Sequence, residues 1–525
     1  MDPDSTPLLS ALMAAAQRQT TAFHTPGHKR GQGASAALRA LVGSVALGAD
    51  LPELPDLDNL FAPTGPIRAA QDLAAQTFGA EATYFLANGS TCGIEAAVLT
   101  TCGPEDRILV PRNVHGSVLS ALVLSGATPV FVEPMTDPDW DLAWGLTPSQ
   151  VAAALAQVPD IQVVLVVSPS YQGMASNLGA IARLVHDHGA VLIVDAAHGA
   201  HLGFHPDLPE SALEAGADVV IQSTHKTLAA LTQAAMLHVQ GQRVDRDRLC
   251  QALQLTQSTS PNYLLLASLD AARQQMADQG RELLQYTLDL AGRARSNLAE
   301  ISSLRVLSAR GSDQGSPHPS LPEETFQLDL TRLTVDVSAL GLTGFAADEW
   351  LHGQRGVTAE LPTLRQLTFI LTFGNRAGDI DHLVQALAQL VQDSGGRRGA
   401  RGGVPARSFS PSSASSSAPS FAPNSASNFG SRSAMARGRS KPITCPPLTP
   451  REAFFAPQRR VPVAEAVGQI SADSLCPYPP GIPLVLPGEV ITAEALAQLQ
   501  AIQAAGGMIT GLRDALETLR IVPTP

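Results

Sequence analysis

ADVVIQSTHKTLAALTQ, residues 217–233, decides how the rest of the chain is read. It sets Lys226 directly after a short apolar strand, beside Ser223, Thr224 and His225. A solvated surface lysine is the ordinary reading of such a residue. Against it stands VLIVDAAHGAHLGF, residues 191–204, in which Val191 to Val194 read as a buried parallel strand ending in Asp195. A carboxylate at the carboxyl end of such a strand lies at the sheet edge where α/β folds bind ligands. A lysine amine among hydroxyls and an imidazole suits the Schiff base of a pyridoxal phosphate (PLP) enzyme. An aspartate aimed at the pyridine nitrogen keeps that nitrogen protonated and the ring an electron sink. His198 follows three residues after Asp195. Either segment alone fits many folds; the two together, in this order, point to a PLP site.

Two further segments supply what such a site needs. ATYFLANGSTCGIEAAVL, residues 82–99, reads as strand, Gly-Ser-Thr turn and helix. Gly89, Ser90 and Thr91 offer N–H groups, hydroxyls and the positive end of a helix dipole to a phosphate, although an ordinary N-cap explains them equally well. RILVPRNVHGSVLSALVLSG, residues 107–126, gives another strand followed by His115, whose flat ring suits stacking on a pyridine; on its own it reads as a capping histidine.

Taken together these segments resemble the ornithine/lysine/arginine decarboxylases of the aspartate-aminotransferase fold, PLP fold type I. FHTPGHKRG at 23–31 is similar to that family's opening motif, DLPELPDLDNLFAPTGPIRAAQ at 50–71 to its next block, and CPYPPGIPLVLPGE at 476–489 to its C-terminal signature. The resemblance implies PLP as cofactor, with Lys226 forming the Schiff base and Asp195 paired with the pyridine nitrogen. It places His115 on the ring and Ser90, Thr91, Ser223 and His225 around the phosphate and the lysine. Ala197 and His198 flank the ring. The implied reaction is decarboxylation of arginine, lysine or ornithine to the amine, as in polyamine biosynthesis, with Lys226 and His225 handling protons. No motif calls for a metal ion. One departure stands out: the family pattern Asp-Glu-Ala-His is here Asp-Ala-Ala-His, with Ala196 in the glutamate's place. The family also implies a homodimer or small multiple with the site at the subunit interface. With the HTPGHK block so near the start of the sequence, a dimer or small multiple is expected in place of the larger ring.

Composition sets the frame around these motifs. A chain of 525 residues exceeds one ordinary core. Candidate strands near 83–87, 107–110, 129–132, 162–168, 191–194, 218–222 and 234–239 alternate with helical patterns, which predicts an α/β fold with a mostly parallel seven-stranded sheet. The last strand follows Lys226 too closely for a crossover helix and suits an antiparallel return. The expected organisation is an N-terminal arm (1–60), a PLP-binding large domain (61–275), a small α+β domain (276–393), a disordered Ser/Pro/Ala/Arg-rich linker (394–445) and a C-terminal domain (446–525). A net charge of −12 argues against nucleic acid as a general partner. Five cysteines without a pairing pattern suit reduced thiols in a cytoplasmic enzyme. An acidic start, Asp2 and Asp4, without a basic-then-apolar run leads us to expect no secretory leader, and no apolar run is long enough to span a membrane.

A basic substrate needs an acceptor for its side-chain cation, and Glu53, Asp56, Asp58 and Glu489 are the candidates. Two rival functions remain open on the sequence alone. One is another PLP reaction: an aminotransferase drawing on Arg365 or Arg376 for the substrate carboxylate, an aldol-type lyase, or a desulfurase using a cysteine such as Cys92. The other is a catalytically silent protein that keeps the fold.

Overall fold

The computed structural model describes residues 2–18, 20–308, 325–399, 443–478, 481–512 and 516–523. At its centre lies a seven-stranded sheet: β1 (Ala82–Leu86), β2 (Arg107–Pro111), β3 (Thr128–Val132), β4 (Ile161–Val167), β5 (Val191–Asp195), β6 (Val219–Gln222) and β7 (Ala235–Val239). The spatial order is β1-β7-β6-β5-β4-β2-β3. Only β7 runs against its neighbours, and it pairs antiparallel with both β1 and β6. The remaining pairs are parallel. Near-continuous Val, Ile and Leu in β4 to β6 follow from this, because a sheet covered on both faces exposes neither side of a strand. Every strand lies within a residue or so of its expected position.

Two apolar layers flank the sheet. One includes the helices Pro66–Phe78 and Leu178–Asp187 and the first part of the long helix Tyr263–Ala299. The other is built on Gly89–Thr101, Gly116–Ser125 and Arg246–Thr256. The expected boundary at residue 275 falls inside the Tyr263–Ala299 helix. That helix packs Tyr263 to Leu284 into the main core, and Leu290 to Leu298 into the small lobe. A continuous helix costs less than a break, since each added residue closes a hydrogen bond without new nucleation.

The small lobe holds a four-stranded antiparallel sheet in the order Arg305–Val306, Arg332–Asp336, Gln366–Ile370, Leu361–Pro362. The strand-like run 324–333 is divided between two sheets. Phe326–Leu328 pairs with Met174–Ser176 beside the large sheet, and the chain enters the small sheet only at Arg332. Most of the expected linker, 400–442, lies outside the described residues. Its first residues continue the helix Ala377–Gly399, and Thr444 already pairs with Phe131 on edge strand β3. The C-terminal unit has its own apolar cluster around Leu475, Leu499 and Ile521. Its helix Ala493–Ala504 is capped by Thr492, whose side chain accepts the Ala495 N–H. Among the described residues no helix is long and apolar enough to cross a membrane.

The N-terminal helix Pro7–Gln17 has a cap residue, Thr6, whose side chain makes no capping bond. Asp270, from the long helix, takes over. Its fully buried carboxylate accepts the N–H groups of Leu8 (2.9 Å) and Leu9 (3.2 Å) and pairs with the fully buried Arg273 at 2.7 Å. Arg273 in turn donates to the carbonyls of Pro3 and Ser5. Asp270→Ala therefore leaves a guanidinium buried without its counter-charge and a helix start without acceptors. The expected loss is about 3–5 kcal/mol, read as a lowered midpoint in urea unfolding. A loss below about 1 kcal/mol, the scale of an exposed pair, would contradict this account.

Candidate active site

The register of β5 against β6 brings Asp195 opposite Ile221 at the carboxyl edge of the sheet. Beyond β6 the chain makes one helical turn, Thr224–Thr227, closed by the Leu228 N–H donating to the Thr224 carbonyl. The turn is braced from β7: the His225 N–H donates to the Ala234 carbonyl, and the His225 ring bonds the same oxygen through Nδ1 at 3.0 Å. A carbonyl only accepts, so Nδ1 carries the proton and Nε2 is the basic nitrogen. Lys226 is thereby delivered to the edge that Asp195 occupies.

A cleft partly open to solvent lies there. Its walls include Ser90, Asn113, His115, Tyr171, Asp195, Ala197, His198, Lys226 and Ile482. The Lys226 amine lies 3.1 Å from His198 Nε2 and 5.4 Å from the centre of the Tyr171 ring. The Tyr171 and His198 rings stand 4.1 Å apart. The Ser223 hydroxyl donates to Ser90 Oγ at 2.7 Å, at the start of helix Gly89–Thr101, where Asn88 makes no side-chain cap. His115 caps helix Gly116–Ser125 by accepting the Ser117 N–H at Nδ1, 3.1 Å away.

Burial dominates the electrostatics. It pushes the Asp195 carboxyl above its ordinary range, opposed by the charges of Lys226 and His115 and by the Ala197 N–H. It pushes the Lys226 amine below its ordinary range, opposed by Asp195 and Glu360 and assisted by Arg332. It holds His198 neutral, with Lys226 and Arg332 adding to the effect. His115 and His225 are lowered by burial as well.

Of the residues expected from the sequence, Lys226, Asp195, Ala197, His198, His115 and Ser90 line the cleft, and Ser223 is bonded to Ser90. Thr91 is exposed at the next position, and His225 lies beside the lysine turn; neither is among the lining residues. Ala196 is buried in the main apolar core, away from the cleft. None of the four acidic candidates for the substrate cation is free. Asp56 pairs with Arg18, and Glu53 with the Asn59 amide. Asp58 accepts the N–H groups of Asn59, Thr64 and Gly65, and Glu489 pairs with Arg112. Arg365 is engaged by Asp336 at 3.1 Å. Burial pushes the Cys92 thiol up to about 12, which removes it as a nucleophile at neutral pH.

Three residues were missed. Tyr171 sits in the turn Ser170–Gly173 just beyond β4, at the sheet edge that also holds Asp195, so the strand-end rule would have found it. Arg332, from the small lobe, is fully buried and donates to the His198 carbonyl at 2.8 Å. Glu360 is exposed and forms no ion pair among the described residues, yet its charge acts on Lys226, His225 and Arg332. No local pattern marks either of these.

The donor set fits PLP. An amine suited to an aldehyde, a buried carboxylate suited to a ring nitrogen, and two serines with an uncapped helix start suited to a phosphate share one cleft. Asn113 Oδ1 and His198 Nδ1, both buried, have no partner among the described residues.

Residues 6–379 match the family described as Orn/Lys/Arg decarboxylase, major domain, and residues 434–521 its C-terminal domain. The chain is 36% identical to the arginine decarboxylase of Bacillus subtilis over 99% of both chains. It is 37% identical to that of Halalkalibacterium halodurans over 99% of this chain and 98% of the other. Among solved structures it resembles lysine decarboxylase A from Pseudomonas aeruginosa, with a TM-score of 0.79 and 24% identity over 98% of this chain and 80% of that one. The shared fold is PLP fold type I.

Lys29, Lys226 and Lys441 are the only lysines in the sequence, so modification of each is easily mapped by mass. A lowered pKa means that the neutral, nucleophilic amine prevails at a lower pH. In the apoprotein, acetylation of Lys226 is expected to reach half its maximal rate below the roughly 10.4 of a free lysine. A half-maximum at or above that value would show that Asp195 and Glu360 outweigh burial.

Proposed function

The chain belongs to the Orn/Lys/Arg decarboxylase family and is a decarboxylase of basic amino acids, and we propose that its substrate is L-arginine, with PLP held on Lys226. The relatives named arginine decarboxylase at 36% and 37% identity over nearly the whole chain support arginine. The observation that carries the site assignment is the meeting of a desolvated lysine amine and a buried aspartate at one sheet edge.

In this reading Asp195 faces the pyridine nitrogen, His115 and Ala197 bound the ring, and Ser90 and Ser223 with the Gly89 helix start receive the phosphate. Bound there, PLP supplies an electron sink for the pair left when carbon dioxide departs. Lys226 would hold the cofactor through its amine, and that amine, once released, would be available to move a proton to the former α-carbon. His198 and Tyr171 hold that amine on the cofactor side of the cleft. His225 Nε2 is the second basic nitrogen near it. Glu360, exposed and without an ion pair among the described residues, is the candidate acceptor for the guanidinium of the substrate, since its charge reaches Lys226.

The active form proposed is a homodimer in the cytoplasm. The helix Ala36–Ala49 buries only Leu47 and leaves Leu38, Leu41, Val42 and Val45 exposed, close in sequence to the exposed Phe23. A second copy is the occupant that the family resemblance suggests. The five cysteines are unpaired, as suits a reducing compartment.

Purified protein with PLP, offered L-arginine, L-lysine and L-ornithine separately, should release agmatine from arginine in preference to cadaverine or putrescine. Lys226→Ala should abolish both turnover and borohydride-trapped cofactor. Trapped cofactor with no amine product from any of the three would overturn the reaction but not the site. Glu360→Gln should raise KM for arginine about two- to fivefold, the scale of an exposed charge pair, with cofactor attachment intact. Leu41→Glu combined with Val45→Glu should halve the mass in light scattering; a wild-type mass already equal to the monomer would refute the dimer.

A further inference from the structure

We propose that Arg112 and Glu489 act as one positioning pair: they hold the C-terminal segment 481–486 against the His115 end of the cleft, and substrate affinity depends on that hold. This rests on the cleft being the decarboxylase site. Arg112 directly follows β2, three residues before His115. Its guanidinium pairs with Glu489 at 3.2 Å, donates to the Leu484 carbonyl at 3.2 Å and stands 5.3 Å over the Phe131 ring. Both charged side chains are largely buried, 17% and 19% exposed. Glu489 also accepts the Leu486 N–H at 3.1 Å. One bridge therefore grips Leu484, Leu486 and Glu489 from a single strand end.

The gripped segment reaches the active site at two points. The Gly481 carbonyl accepts the N–H of Gly116 at 3.2 Å. Gly116 opens the helix that His115 caps, and its N–H belongs to the first turn, where no intrahelical acceptor exists. Ile482 lines the cleft itself. Burial pushes the Glu489 carboxyl upward and Glu133 adds to that push, so the carboxylate depends on Arg112 to stay ionised.

Other contacts tie the C-terminal unit to the large lobe away from this point. Thr444 pairs with Phe131 on β3, and Arg451 donates to the Val123 and Leu124 carbonyls at the far end of the same helix. Cutting the Arg112–Glu489 pair should thus loosen the segment locally without releasing the unit. Lys226, Asp195 and Ser90 come from other strands and another helix start, so cofactor attachment should survive.

The test compares wild-type holoenzyme with Arg112→Met, Arg112→Lys, Glu489→Gln and the Met/Gln double variant. Arg112→Met and Glu489→Gln are expected to raise KM for arginine about tenfold or more, as on breaking a buried charge pair. The fall in kcat should stay within about threefold. Amide exchange at residues 481–486 should quicken in the same variants while the absorbance of covalently held cofactor is kept. The double variant should be no worse than either single one, since partners in one interaction are not additive. Arg112→Lys should recover most of the affinity. Unchanged KM, additive losses in the double variant, or unchanged exchange at 481–486 would each overturn the pair. Should wild-type enzyme hold cofactor yet release no amine, the functional reading fails, and the exchange measurement still decides whether the pair holds the segment.

Discussion

A carboxylate withdrawn from water has to be answered by positive charge, and Asp195 makes that demand at the centre of the sheet. It is the last residue of β5, aligned with Ile221 on β6, and Lys226 lies one short turn beyond. The parallel register sends both side chains to the same edge. Lys226 is desolvated in its turn, so each group holds the other partly ionised against the cost of burial. The topology around them follows. With so short a connection the next strand cannot cross over in parallel, and β7 returns antiparallel between β6 and β1. That return supplies the Ala234 carbonyl which orients His225.

A second buried charge binds the small lobe to this edge. Arg332 enters beneath His198, and a guanidinium with no exposed surface needs an anion. Asp329 provides it at 3.6 Å; burial pushes its carboxyl up, but His201 and Arg332 together hold it well below the usual range. The Asp329 N–H donates to the Gly173 carbonyl, so the same cluster fixes the turn that presents Tyr171. Gly173 has φ +92°, and a Cβ there would lie 2.8 Å from Arg332 Cγ. Only glycine allows the backbone to pass so close to the arginine stem. The walls carrying Tyr171 and His198 are thus set by one ionic cluster from outside the large sheet.

These two charge centres differ in how legible they were. Asp195 and Lys226 end apolar strands, and a strand end is a local pattern that sequence carries openly. The seven strands could be placed for the same reason, by runs of Val, Ile and Leu between turns. Arg332 and Glu360 belong to another lobe and act on His198 and Lys226 only through tertiary packing, so no local pattern announces them. The long helix misled in the opposite direction, because its apolar spacing is continuous while the cores it serves change partway along. Ala196 shows a third case. It adjoins Asp195 in sequence, but successive residues leaving a strand point to opposite sides, and this methyl packs in the core.

The cleft is therefore assembled from units with separable tasks. Groups suited to the cofactor, Lys226, Asp195, Ser90 and Ser223, come from the carboxyl edge of one sheet, whose spacing is fixed by backbone hydrogen bonds and tolerates little change. Ile482 lines the cleft from the C-terminal unit, and the charge of Glu360 acts on Lys226 from the small lobe. The units that carry them join the large domain through apolar as well as polar contacts, Leu486 in the core of the sheet and Phe326 against Trp144 beside Arg112 with Glu489 and Arg332 with the His198 carbonyl. A family whose members act on arginine, lysine or ornithine needs that separation: the substrates share the carbon at which the bond breaks and differ only at the distant cation. The groups suited to the shared chemistry thus come from the large sheet, and further contacts around them come from the other two units.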